Sequence, residues 1–147
     1  MELKDTFNGV IEDYEYARPQ YPGRLHEDIL QYSSVNKSSR ILEVGAGTGQ
    51  TTDYYARRGY NITALEIGEQ QVEYLKKKYK DQKNVEVLLK AFEEHSCDKP
   101  YDLIFSATAF HWVKPVMRYK HSYDLLARDG TLAVASSAES VGGWRFG

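Results

Sequence analysis

The sequence predicts an α/β protein with a doubly wound, mostly parallel sheet. Three observations predict it. Short apolar stretches rich in β-branched residues alternate four times with helix-periodic stretches. A glycine-rich turn, GAGTG at 45–49, follows the first strand of that series and leads into a helix. The chain has 147 residues, 41% hydrophobic and 27% charged, which is ordinary for one domain with its own core. Strands separated by helices pair in parallel through right-handed crossovers, and the helices then cover both faces.

Each element follows in order. Residues 1–34 read as an N-terminal cap, in which Leu25, Ile29 and Tyr32 recur at helical spacing behind Pro22. Residues 35–138 read as the core of a single domain, and 139–147 as a tail. RILEVG (40–45) is a buried strand that stops at a glycine. TTDYYARRG (51–59) is a helix with Gly59 at a left-handed C-terminal cap. YNITALEI (60–67) is the second strand. EQQVEYLKKKYK (69–80) is a helix with Val72, Leu75 and Tyr79 on one face and lysines near its end. NVEVLLKA (84–91) and YDLIFSATA (101–109) are strands three and four. KPVMRYKHSYDLLARDG (114–130) is a helix ending at a glycine, and TLAVASS (131–137) is strand five.

Composition excludes several function classes. A formal net charge of -2 argues against a broad grip on nucleic acid. The first 16 residues lack the apolar segment of a signal peptide, and no apolar run approaches the about 20 residues of a membrane span. The single cysteine, Cys97, fits a reducing cytoplasm. His95 and Cys97 form an isolated H-x-C with no second cluster, so no metal is expected.

The glycine loop carries the chemistry. A phosphate-binding P-loop needs Lys then Ser or Thr after the last glycine, and here Gly49 is followed by Gln50 and Thr51. A dinucleotide loop is G-x-G-x-x-G, whereas Gly45, Gly47 and Gly49 are spaced G-x-G-x-G. Glu43 would also repel a pyrophosphate. S-adenosylmethionine resolves the conflict. Its ammonium and sulfonium suit a strand carboxylate, and its carboxylate suits backbone N–H groups. Glu66, 21 residues past Gly45 at the next strand end, can accept both ribose hydroxyls. Ile67 can cover one adenine face. Phe92 can stack on the adenine or simply pack in the core, and Glu93 can accept from the exocyclic amine.

The pieces ILEVGAGTGQTT, ALEIGEQQVEYL, LLKAFEEH and YDLIFSATAFHWV, with YEYARPQYPGRL upstream and YDLLARDGTLAV downstream, resemble the class I S-adenosylmethionine-dependent methyltransferases. They are most similar to the small-molecule, trans-aconitate-methyltransferase-like group. The resemblance implies a Rossmann-like sheet. It places Glu43, Gly45, Ala46, Gly47, Thr48 and Gly49 on the methionine side, Glu66 on the ribose, and Ile67, Ala91, Phe92 and Glu93 around the adenine. It sets Ala107, Phe110, His111 and Trp112 towards the transferring methyl. Arg18 resembles a cap position that reaches the cofactor carboxylate, with Tyr14 and Tyr16 closing the lid. His111 follows the fourth strand and is the candidate general base, against a reading as a cleft-lining residue. In the family, the last two of seven strands form an antiparallel hairpin beside the fifth, and this chain ends soon after strand five. The expectation is therefore a missing hairpin and an open sheet edge, where a homodimer could form. The activity expected is methyl transfer to a small molecule. The alternative is a truncated, non-catalytic module that binds the cofactor or a partner.

Overall fold

The computed structural model describes residues 23–107, 113–136 and 140–146. Their elements run α1 (Gly23–Ser33), β1 (Arg40–Val44), α2 (Gln50–Arg57), β2 (Asn61–Glu66), α3 (Glu69–Lys78), β3 (Val85–Leu89), a 3₁₀ turn (Phe92–Glu94), β4 (Tyr101–Ala107), α4 (Pro115–Leu125), β5 (Leu126–Ser136) and β6 (Ser140–Phe146). The six strands form one sheet in the order β3-β2-β1-β4-β5-β6. The first five are parallel, and β6 runs antiparallel to β5. The chain steps outward from β1 to β3 and then returns to β4 on the other side of β1. That reversal creates a crevice at the carboxyl ends of β1 and β4, where open α/β sheets bind ligands.

Alternation along the strands sorts the side chains onto two faces. On one face Ile41, Ile62, Leu103 and Phe105 pack with Ile29 of α1 and Tyr55 of α2, while Ala64 and Val87 pack with Val72 and Leu75 of α3. On the other, Leu42, Val44, Leu65, Ile104 and Leu132 pack with Phe92 and with Leu125 of α4. Helices thus cover both faces, as expected for parallel strands buried on both sides. Val72, Leu75 and Tyr79 are all buried, matching the periodicity read from the sequence. Gly59 takes a φ of 81° and donates its N–H to Ala56, closing α2 where a left-handed cap was expected. Tyr32 is half-exposed, and His26 takes the buried place on α1 instead, with Nδ1 3.3 Å from the Tyr55 hydroxyl.

Two segments depart from the sequence reading. The helix after 114 stops at Leu125, not at Gly130. Leu126 is already extended and pairs with Tyr101, and the ladder resumes at Leu103–Thr131. The extra β5 residues bulge out through Asp129, at a φ of 66°, and Gly130, where a Cβ would lie 2.8 Å from the Ala127 carbonyl. Stopping the helix there lets the adjacent Leu125 and Leu126 both reach the same core cluster. The second departure is the tail. Residues 139–147 were expected to leave the edge of β5 open, but Ser140–Phe146 pairs along β5 from Ser136–Ser140 to Gly130–Phe146. An antiparallel neighbour needs only a short connection, so few residues suffice. The described sheet edges are therefore β3 and β6.

Candidate functional site

The site is assembled from the turns that follow β1 and β2. The N–H groups of Gly45 and Ala46 both donate to the Leu65 carbonyl, at 2.9 and 3.1 Å, and carry the strand pairing one step beyond β1. The chain then turns through Gly47, at a φ of 60°, whose N–H donates to Glu66 Oε1 at 2.8 Å. Gly49, at a φ of 92°, serves a different purpose from the one read in the sequence. A Cβ there would lie 2.7 Å from Leu75 Cδ2 and 3.3 Å from the Tyr79 hydroxyl, so this glycine lets the loop sit against α3. The Tyr79 hydroxyl lies 3.3 Å from the Gly49 carbonyl and 3.2 Å from Asp53 Oδ1, pinning the loop end to α2 and α3. Ala46 is buried among Ala56, Ala64 and Val72 and contributes backbone, not side chain, to the cleft.

Glu66 ends β2 and is buried. Its Oε1 accepts from Gly47, and its Oε2 accepts from Ile67 and Gly68 at 3.0 and 2.8 Å. Burial raises the pKa of this carboxyl, and the three amide bonds oppose that rise. All three groups are donors, so the arrangement is made for the ionised, acceptor-only form. Glu66 therefore locks the two turns together, a role its spacing alone did not reveal.

Glu43 lies on the same face of the sheet, on β1, and is 3% exposed. Among the described residues its hydrogen bond comes from the Thr52 hydroxyl of α2. Burial pushes its pKa up to about 8; the Thr52 bond opposes this and the nearby Glu66 charge adds to it. Burial thus favours the protonated form of Glu43 well above the usual carboxylate range, where the sequence suggests a standing anion. Thr52 was missed in the sequence, although its spacing with Tyr55 and Ala56 puts it on the sheet-facing stripe of α2. Ser106 was missed as well. It is fully buried on β4 and donates to the Val44 carbonyl at 3.0 Å, tying β4 to the end of β1.

The other expected residues that are described follow β2 and β3 or end β4. Ile67 is half-buried beside Glu66. Ala91 opens the 3₁₀ turn after β3. The Phe92 ring is 2% exposed and packs edge-on to His121, with centroids 4.9 Å apart, so it lies in the core and presents no open stacking face. Glu93 accepts from the Lys114 N–H at 3.4 Å, near the start of α4. Ala107 is half-buried at the end of β4. Tyr14, Tyr16, Arg18, Phe110, His111 and Trp112 lie outside the described residues.

The residues present suit a cationic nucleoside. Thr48 Oγ1 is buried in the loop without a hydrogen-bond partner among the described residues, an unmet polar atom that a ligand group could satisfy. An acid sits under the loop, and no lysine follows it as a phosphate site would require.

Comparison with known proteins gives the class. Residues 42–134 match the family model for the methyltransferase domain. Over 131 residues the chain is 35% identical to an uncharacterized methyltransferase of Schizosaccharomyces pombe, covering 88% of this chain and 51% of that one. Over 138 residues it is 37% identical to malonyl-[acyl-carrier protein] O-methyltransferase 1 of Ilyobacter polytropus, covering 91% and 51%. The chain belongs to the methyltransferase-domain family, and it spans about half the length of these curated relatives. Its fold is shared with coclaurine N-methyltransferase bound to N-methylheliamine and SAH, with a TM-score of 0.65 at 22% identity, covering 76% of this chain and 34% of that one. It is also shared with mycolic acid cyclopropane synthase complexed with SAH, with a TM-score of 0.63 at 23% identity, covering 71% and 39%.

Proposed function

We propose that this chain is an S-adenosylmethionine-dependent methyltransferase acting on a small molecule in the cytoplasm. The observation that carries this reading is the arrangement of the turns after β1 and β2: Gly47 and Glu66 bonded to each other, with buried Glu43 beneath them. When bound, S-adenosylmethionine supplies an activated methyl group on a sulfonium, which needs no further activation of its leaving group.

The chain's own residues bind and orient. The loop 45–49 offers backbone with little side-chain obstruction at Gly45 and Gly47. Glu66 Oε1 accepts one amide and keeps a lone pair for a ribose hydroxyl, while its amide bonds hold the carboxylate in place. Ile67 and the backbone of Ala91 would border the adenine, Glu93 would take its amine, and Phe92 would support that wall from the core. Glu43 faces the positive end, and Thr48 supplies a hydroxyl. By the family resemblance, Arg18 would hold the cofactor carboxylate, and Tyr14, Phe110, His111 and Trp112 would serve the acceptor, with His111 as base if the acceptor must lose a proton. Displacement then needs proximity and alignment, with reacting atoms at roughly 3–3.5 Å.

The O-methyltransferase relative makes a carboxylate oxygen the first acceptor to try. The test is S-adenosylhomocysteine production by the full chain with malonyl thioesters, trans-aconitate and an unrelated amine panel, beside calorimetric titration with S-adenosylmethionine. Binding with turnover of any acceptor supports the reading. Binding without turnover supports the non-catalytic module, and absence of binding removes both.

A further inference from the structure

Glu43 and Glu66 share one face of the sheet at neighbouring strand ends, and they differ in what surrounds them. Three backbone amides make Glu66 the charged member of the pair. Glu43 faces groups that give it no positive charge. Thr52 and Tyr55 come from α2, Tyr79 from α3, Glu66 from β2, and the Phe105 ring lies opposite it on β4. Asp53, beside the Tyr79 hydroxyl, is a further acid and is already paired with Arg57 at 2.7 Å. Among the described residues no cation bears on Glu43. A carboxyl shut from water, next to a fixed anion and served by one hydroxyl, keeps its proton.

Resting on the cofactor reading above, we propose that Glu43 is a proton-exchange site: it is a neutral acid in the empty cleft and gives its proton to solvent when the cationic methionine end of the ligand settles against it. The balance is one proton released for one positive charge bound, and the cleft keeps its net charge. Two ligand groups share this chemistry, the ammonium and the sulfonium. Between neutral pH and about pH 8, where Glu43 begins to ionise by itself, affinity rises by up to tenfold per pH unit and then levels off. The same exchange would refuse a neutral nucleoside of similar shape, since nothing would repay ionising Glu43.

The test is calorimetric titration of the full chain in buffers of different ionisation enthalpy at pH 7, which counts the protons released per ligand. S-adenosylmethionine and S-adenosylhomocysteine are the probes, and wild type is compared with Glu43→Gln. The ligand's own ammonium titrates against both proteins and cancels in that comparison. Release of close to one extra proton from wild type with both ligands supports the exchange and assigns it to the ammonium. Extra release with S-adenosylmethionine alone supports it and assigns it to the sulfonium. Binding with the same proton count in wild type and Glu43→Gln overturns the inference and leaves the cofactor reading standing. Failure of both ligands to bind at any pH overturns the cofactor reading and this inference together. Thermal melts of the empty proteins give a ligand-free check. Wild type should lose several degrees of melting temperature relative to Glu43→Gln between pH 5 and 8, and parallel curves would overturn the inference by themselves.

Discussion

Glu43 at the end of β1 and Glu66 at the end of β2 are equally buried acids, 3% and 2% exposed, and Glu66 lies two residues beyond the register partner of Glu43, Ala64. What separates them is the backbone around them. The turn after β2 aims the amides of Ile67 and Gly68 at Glu66, and the turn after β1 adds that of Gly47. Glu43 sits one turn deeper, within the regular part of β1, where the amides are committed to the sheet. Among the described residues only a side chain, that of Thr52, is left to serve it. Position relative to the strand end therefore decides which acid holds charge structurally and which holds it in reserve for a ligand.

Exchanging either acid for its amide breaks the comparison most directly. Glu66→Gln sets an NH₂ group against backbone N–H donors, and should destabilise the chain by about 3–4 kcal/mol in denaturant unfolding. Glu43→Gln should do the opposite. The folded-state pKa of Glu43 lies above its unfolded value, so the folded chain holds the extra proton between about pH 4.5 and 8, and wild-type stability falls as pH rises through that window. The slope is at most about 1.4 kcal/mol per pH unit. Glu43→Gln lacks this slope, and at pH 8 it should be the more stable protein by about 2–3 kcal/mol in matched urea titrations.

Smaller changes sharpen the contrast. Gly47→Ala keeps the Glu66 bond but places a side chain at a φ of 60°, and should cost about 1–2 kcal/mol. A larger loss in equilibrium unfolding would mean that the Gly47–Glu66 bond was lost too. Thr52→Val removes the hydroxyl that serves Glu43 with little change of shape. It should cost about 1 kcal/mol and move any proton release on ligand binding to higher pH, read by calorimetry.

Much of this was legible before any coordinates. The alternating periods of 2 and 3.6 are local, so they marked β1 to β5 and the helices between them, and the glycine spacing pointed to the end of β1. What escaped depended on contacts between distant residues. Gly142 and Gly143 weaken the strand signal of the last segment, and its pairing with β5 becomes visible only once that strand is in place. Phe92 carries the same apolar ring whether it stacks on a nucleobase or fills the core, and its burial against His121 is visible only in the fold. The sequence shows Glu43 as a carboxyl but not its proton, because protonation follows from burial. Gly49 is likewise required by Leu75, 26 residues further along the chain.

The most direct measurement is a crystal structure of the full chain with S-adenosylhomocysteine. The account predicts the nucleoside at the carboxyl ends of β1 and β2, with a ribose hydroxyl on Glu66 Oε1, the methionine end over Gly45–Gly49 towards Glu43, and the Gly47–Glu66 bond intact. Ligand seated elsewhere on the chain, or Glu66 turned away from the ribose with its three amides left to water, would contradict it.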